Sequence, residues 1–413
     1  MTMRVLYLHQ HFTTPEKGGG TRSYELAKRL VARGHSVCIV CGEFAKLDLT
    51  PTDNKAISRG VIDGINVIQI SLHYSNTDGI SKRVGTYLRF ALHSVRIALR
   101  EDYDVLFATS TPLTAGIPGI VMKLFRNKKF IFEVRDLWPE LPRALGLKNP
   151  FLLWGMSILE WLTYRSANAC IGLAPGICNG IARRSSKNKK IEMVPNACDL
   201  DIFKPGNRAE LKLEGISESD TVAVFTGAHG IGNGLDAVLN AAGELRKMGR
   251  DDIKLVFIGD GRSKSMLVKR AKQENLNNCM FLPSVSKLQL SQIISNADIG
   301  LMILANLPAF YYGTSPNKFF DYISSGLPVL NNYPGWLADM IQEHQCGIAV
   351  PPDDPLAFAK ALIHLADNPG LRKTYAENSR QLAEKCFSRQ CLGDKFVKFL
   401  EEVHYYSSKR AYV

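Results

Sequence analysis

No run of apolar residues in this 413-residue chain is long enough to cross a membrane. The most apolar stretch, FLLWGMSILEWL at 151–162, is interrupted by Glu160 and falls well short of the roughly 20 residues a spanning helix needs. The start, MTMRVLYLHQHF, runs straight into a strand pattern and lacks the charged, apolar and small-residue regions of a secretory leader. These two absences predict a soluble, cytoplasmic chain. The nine cysteines are odd in number and scattered. Cys38 and Cys41 form a C-x-x-C, but inside SVCIVCG, which reads as a buried strand, and no second pair or spaced histidine completes a zinc site. Structural thiols and no bound metal are the expectation. Also missing are an RNP-type aromatic strand, a zinc finger and a helix-turn-helix, which argues against nucleic acid as a partner.

What is present is a globular composition, 46% hydrophobic and 22% charged, in a chain too long for one core. The formal charge of +12 favours polyanions. With nucleic acid set aside, diphosphate substrates and anionic lipid are the candidates.

Short apolar runs alternate with helical periodicity throughout, the pattern of βαβ units and parallel sheets. In the first half, 4–10, 36–42, 65–70, 104–110, 129–134 and 169–174 read as strands. TRSYELAKRLVARG (21–34) reads as an amphipathic helix with Thr21 as N-cap and Gly34 as its stop. A second series begins near 221, with strands at 254–260, 279–284, 299–304, 328–333 and 347–350 and a helix at 234–249. Pro, Asn, Asp and Gly cluster at 194–210 and mark a linker. The predicted organisation is an α/β N-terminal Rossmann-like domain over 1–195 and a C-terminal Rossmann-like domain over 205–390. A helix over 391–413 is expected to pack back on the first domain. Two doubly wound sheets put the ligand in an interdomain crevice at the carboxyl ends of the strands.

Several loops carry residue types suited to a nucleoside diphosphate. TTPEKGGGTRS (13–23) joins a strand to a helix start, so Gly18, Gly19 and Gly20 let a ligand approach backbone N–H groups. VFTGAHGIGNGLD (224–236) repeats that design with Gly227 and His229; it is neither the dinucleotide fingerprint nor a P-loop. Arg262 in GDGRSK and Ser284 at the end of CMFLPS lie at the next two strand ends. In GTSPNKFFDYISSGLPVL (313–330), Thr314, Ser315, Pro316 and Asn317 form a turn of donors and hydroxyls. Lys318 follows for phosphate, and Asp321 one helical turn on for ribose hydroxyls. EVRDLWPEL (133–141) crowds Glu133, Arg135 and Asp136 at a strand end, costly unless they are paired or used. An Arg135–Asp136 ion pair is the structural alternative. Residues 80–101 form a basic amphipathic segment that fits a surface helix or an anionic membrane face.

Taken in order, GGGTRSYELAKRLVARGHSV, EVRDLWPEL, VPNACDLDIFKP, the GDG turn at 259–261 and GTSPNKFFDYISSGLPVL resemble glycosyltransferase family four, whose GT-B fold has two facing Rossmann-like domains. Within it the chain is similar to the O-antigen and capsule branch, especially N-acetyl-L-fucosaminyltransferases of lipopolysaccharide assembly. The resemblance implies a UDP-sugar donor as substrate, no cofactor and no metal. It further implies a lipid-diphosphate-linked saccharide acceptor and peripheral attachment to the inner face of the cytoplasmic membrane through 80–101. Asp321 matches the second acid of the family's E-x7-E motif, and Gly313 occupies the first acid's place. The Arg and Lys common after the second domain's first strand are missing, which leaves Lys318 and Arg262 to supply positive charge. Arg135 stands where relatives carry histidine. If the donor is a β-linked L-sugar and the product α-linked, inversion would need a carboxylate base, with Asp136, Glu133 and Glu16 as candidates. The alternative reading is a UDP-sugar 2-epimerase on the same architecture; a non-catalytic sugar-nucleotide binder is a third.

Overall fold

The computed structural model describes residues 2–17, 20–52, 56–74, 78–110, 112–207, 210 and 213–409. It divides into two compact units, Met1–Pro195 with Gln390–Val413, and Asn196–Arg389.

Unit 1 holds nine strands: β1 (Arg4–Leu8), β2 (Ser36–Glu43), β3 (Thr50–Pro51), β4 (Ile57–Ile62), β5 (Ile65–His73), β6 (Val105–Thr109), β7 (Lys129–Val134), β8 (Ala169–Gly172) and β9 (Lys190–Met193). Their order is β3-β4-β5-β2-β1-β6-β7-β8-β9. The pairs from β5 through β9 are parallel, and β3 and β4 add an antiparallel edge. Chain order reverses beside β1, so residues just past the ends of β1 and β6 lie at a topological switch point. The connecting helices are α1 (Arg22–Ala32), α2 (Ile80–Arg100), α3 (Gly116–Arg126), α4 (Glu140–Ala144), α5 (Pro150–Ser166) and α6 (Pro175–Arg184). Helix α1 buries Tyr24, Leu26, Ala27 and Leu30, the spacing its sequence shows. Thr21 precedes it, but its side chain does not cap the helix as expected. The backbone at Thr21 has left the extended conformation that aims a capping oxygen at the first turn. Gly34 ends the helix as expected, with φ +82°.

Unit 2 holds β10 (Thr221–Thr226), β11 (Ile253–Ile258), β12 (Cys279–Leu282), β13 (Ile299–Met302), β14 (Val329–Asn331) and β15 (Gly347–Ala349) in the order β12-β11-β10-β13-β14-β15, parallel throughout. Its helices are α7 (Asp236–Lys247), α8 (Lys264–Gln273), α9 (Lys287–Ser295), α10 (Pro308–Tyr311), α11 (Asn317–Ser324), α12 (Trp336–Glu343), α13 (Pro355–Asp367) and α14 (Pro369–Cys386). Phe225, Leu255, Phe257, Leu301 and Leu330 from the strands pack with Leu239, Leu245, Phe358 and Leu362 from α7 and α13 in one core. Burial on both faces explains why these strands read as continuous apolar runs.

The last helix, α15 (Arg389–Lys409), belongs from Gln390 onward to unit 1. Asp394 accepts from Arg29 Nε at 2.8 Å, Glu401 meets His35 at 3.0 Å, and Phe396 packs edge-on to Phe107.

Candidate active site

In unit 1 the charged residues gather at the carboxyl ends of β1, β6 and β7. Arg22, in the first turn of α1, is buried. Its Nε and Nη2 donate to one oxygen of Glu133 at 3.0 and 2.8 Å, and its Nη1 and Nη2 to the carbonyls of Pro195 and Val194 at 2.6 and 2.7 Å. The other Glu133 oxygen accepts from Thr109 Oγ1 at 2.8 Å. Burial pushes the Glu133 carboxyl up. Arg22, helped by Arg135 and Thr109, outweighs that and holds it below its ordinary range. Both oxygens are engaged in a closed network, the arrangement of a structural anion.

Asp136, three residues on, has the opposite surroundings. It is half-buried. Among the described residues none donates a hydrogen bond to its side chain, and the Arg135–Asp136 ion pair, the structural alternative, is not formed. Burial raises its carboxyl above the ordinary range, and Arg135 offsets this only in part. A partly accessible carboxylate of raised pKa is suited to accept a proton. The Arg135 backbone N–H donates to Ser110 Oγ at 2.8 Å, which fixes the chain just past β7. Glu16 is exposed on a single 3-10 turn, Pro15–Lys17, and Gly20 is exposed beside α1; Gly18 and Gly19 lie outside the described residues.

Two histidines that the sequence reading passed over complete this end of unit 1. His9 is buried and its Nδ1 meets Ser23 Oγ at 2.5 Å, while its Nε2 and the Nδ1 of His11 have no hydrogen-bond partner. Burial, reinforced by Arg135, keeps both rings neutral, with His11 lowered to about 4. The signal was the pair itself in LHQHF, masked because 4–10 reads as one strand while β1 stops at Leu8.

In unit 2 the loops beyond β10, β11 and β12 converge. Gly227 has φ +129° and Gly259 φ +142°; a Cβ on Gly259 would sit 2.0 Å from the Gly227 carbonyl, so backbone crosses backbone and only glycine fits. Asp260 ties the loops together, accepting from the Ser284 N–H at 2.9 Å and from Lys264, which hold it at about 2. Lys264 also donates to the Gly259 and Leu282 carbonyls at 2.8 Å, so this lysine is fully engaged in the loop. Arg262 is exposed on the same turn. His229 is buried among Phe225, Phe257 and Phe281 with neither ring nitrogen hydrogen-bonded. The N–H groups of Ala228 and Gly230 on either side donate to no described residue. The His229 N–H between them donates to the Asp260 carbonyl at 2.9 Å, so two backbone donors of this turn, one on each side, are left for an anion.

Helix α11 brings in the other half of this site. Lys318 is buried; its Nζ donates to Asn233 Oδ1 at 2.7 Å and to the Ile303 carbonyl at 3.1 Å, and lies 4.2 Å from the centre of the Phe225 ring. No described carboxylate pairs with it, and burial lowers it to about 7. Asp321 is half-buried and raised to about 7 by burial, with Lys287 and Arg389 pulling it down and Asp199 pushing it up. The turn before α11 is held from outside. Ser315 accepts from the Asn196 N–H at 3.0 Å through Oγ and from Asn196 Nδ2 at 2.5 Å through its carbonyl, and the Thr314 carbonyl accepts from Trp336 at 2.7 Å. The Thr314 hydroxyl donates to the Phe310 carbonyl at 2.9 Å. These hydroxyls shape the turn, and Pro316 and Asn317 open the helix. Gly313 has a steric reason: a Cβ there would lie 2.4 Å from the Ala309 carbonyl, so α10 closes the position to any acid. Among the described residues no three His, Cys, Asp or Glu side chains are grouped to hold a metal, and all nine cysteines are free thiols.

With this geometry in place, similarity to known proteins gives the class. The model of Glycosyltransferase Family 4 matches residues 17–202, and that of Glycosyl transferases group 1 matches 207–382. The chain belongs to glycosyltransferase family four, with the GT-B fold. It is 24% identical to an alpha-D-kanosaminyltransferase of Streptomyces kanamyceticus over 49% of this chain and 51% of that one. It is 25% identical to O-antigen chain mannosyltransferase C of Escherichia coli over 43% and 46%. The match thus spans about half the length of each relative. The structure is similar to sucrose-phosphate synthase from Thermosynechococcus elongatus, with TM-score 0.77 and 16% identity over 97% and 99% of the two chains. It is also similar to Anabaena HepE in complex with UDP and glucose, with TM-score 0.70 and 15% identity over 97% and 100%.

Proposed function

We propose that the protein transfers a sugar from a UDP-sugar to a lipid-diphosphate-linked saccharide, in the assembly of O-antigen, lipopolysaccharide or capsule. The observation that carries this is Lys318, a buried ammonium without a counter-charge, joined through Asn233 to the Ala228 carbonyl of the loop whose Ala228 and Gly230 N–H groups are uncommitted. Such a site takes a diphosphate, and Asp321 on the same helix takes the ribose hydroxyls. Positive charge from Lys318 and exposed Arg262 replaces a metal ion at the phosphates. HepE supports UDP as the nucleotide because that structural relative holds it. The E. coli O-antigen enzyme supports the polysaccharide context.

The chemistry assigned to unit 1 is removal of the acceptor's proton. Asp136 takes it from the acceptor hydroxyl as that oxygen bonds to the anomeric carbon, and the carbon–oxygen bond to UDP breaks with inversion. Glu133 holds Arg22 and the strand end in place and takes no part. N-acetyl-L-fucosamine is the preferred donor sugar. Attachment to the inner face of the membrane follows from the lipid-linked acceptor. On α2, Leu88, Leu92 and Leu99 stand exposed among Arg89, Arg96 and Arg100. The test is incubation with a panel of UDP-sugars and a synthetic lipid-diphosphate N-acetylglucosamine, with the product linkage assigned by NMR. A disaccharide of inverted configuration is expected. A retained configuration removes Asp136 as the base, and no transfer from any UDP-sugar overturns the reading.

A further inference from the structure

Most surface helices of the protein turn an apolar stripe inward and a polar one outward; α5 does not. Inside, it buries Leu153, Glu160, Thr163 and Tyr164. Outside, Phe151 is 84% exposed, Trp154 68% and Trp161 44%, with Leu162 beside them. Positions 151, 154, 158, 161, 162 and 165 fall on one side of a helix, and that side is apolar until Arg165, whose guanidinium lies 4.9 Å over the Trp161 ring. The approach to the helix continues the theme, with Arg143, Leu145 and Lys148 all exposed.

We propose that this outward face of α5 is a membrane-contact surface that seats unit 1 on an anionic bilayer. Charge decides the partner. From 141 to 165 the chain has Arg143, Lys148 and Arg165 but one acid, Glu160, and that acid is buried, accepting from the Trp138 N–H at 3.1 Å and from Tyr164 at 2.7 Å and paired with Arg184. The face therefore presents aromatic and aliphatic side chains with cations and no exposed acid, the composition that enters the headgroup region of anionic lipid. No helix among the described residues is long and apolar enough to cross a membrane, so contact is in the plane of the surface. The assignment deepens the function proposed above and rests on it for the lipid-linked acceptor. It moves the anchor beyond α2, where the exposed apolar residues are leucines alone.

Tryptophan emission reads this helix directly. Of the four tryptophans in the chain, Trp154 and Trp161 are the exposed pair; Trp138 is half-buried and Trp336 is buried. The full chain is mixed with vesicles of phosphatidylglycerol and phosphatidylethanolamine, or of phosphatidylcholine alone. Expected are co-sedimentation and a blue shift with the anionic vesicles, and a partition coefficient about a hundredfold lower for F151E/W154E, by the cost of placing charge in the interface. A far-UV circular dichroism spectrum and melting temperature matching the parent, measured in parallel, show that the variant is folded. Equal vesicle binding by F151E/W154E and the parent overturns the proposal. So does a wild-type protein that ignores vesicles but self-associates through this face. Transfer to a water-soluble acceptor is measured separately, so loss of vesicle binding and failure of the transferase reading give different results.

Discussion

Arg22 and Lys318 are both buried cations near strand ends, one in each unit, and they differ in what surrounds them. Arg22 meets a carboxylate and two carbonyls. Lys318 meets an amide oxygen, a carbonyl and an aromatic face, and no anion. A buried charge is costly unless it is paired, so the first cation is explained by the fold and the second is not. Lys318 is explained if an anion arrives. The same contrast runs between Glu133 and Asp136 within unit 1: one carboxylate is closed in by donors, the other is left open.

The sharpest way to break this contrast is Arg22→Ala. It strands Glu133, and breaking a buried pair from one side costs about 3–5 kcal/mol. Thermal and urea melts should show that loss, and Glu133→Gln should recover part of it in the double variant. A single Arg22→Ala protein as stable as the parent would mean the pair is not structural. Asp136→Asn comes next. It should leave stability close to the parent and lower kcat about a hundredfold, as loss of a general base does. The rising limb of the pH–rate profile, displaced above the usual carboxylate range by burial, should vanish with it. Unchanged turnover would remove the proton-transfer role.

Lys318→Ala is the counterpart of Arg22→Ala and should behave in the reverse way. Its melting temperature should hold or rise, because an uncompensated ammonium leaves the interior. UDP affinity should fall by about 2 kcal/mol, roughly thirtyfold, the value of a charge-assisted hydrogen bond. Calorimetry measures both. A variant that melts early yet binds UDP normally would reverse the assignment.

The fold was more legible than this division of charges, for a physical reason. Strands buried on both faces write themselves as apolar runs, so β2, β7, β10 and β11 stand where SVCIVCG, KFIFEV, TVAVFTG and KLVFIGD predict. Strands β4 and β9 were missed because they are half-exposed and carry Arg59, Lys190 and Glu192, so neither an apolar run nor a clean alternation survives. The EVRD cluster and Lys318 were visible as chemistry-bearing residues. Which of them has a partner was not, since Arg22 and Glu133 are 111 positions apart and Lys318 and Asn233 85. The steric need for Gly313 is local by contrast, set by the Ala309 carbonyl four residues earlier, and needed only the backbone path of α10 to be seen.

The smallest effect gives the finest test, because Lys318 and Asp321 share a titration midpoint and oppose each other. Burial lowers Lys318 to about 7 and raises Asp321 to about 7. Lysine carries its charge below that pH and loses it above; aspartate gains its charge above. A diphosphate needs the lysine charged, whereas a ribose binds to the ionised aspartate. Uridine, with no phosphate, should therefore bind more tightly as pH rises through 7. UDP meets both groups, and its advantage over uridine should shrink by up to about tenfold per pH unit above the midpoint, the slope for one linked proton. Lys318→Arg, charged at every pH used, should abolish that change in the ratio while leaving the uridine profile intact. A UDP-to-uridine ratio that stays constant across the midpoint in the parent protein would mean that the phosphates do not rest on Lys318, and the contrast with Arg22 would lose its functional half.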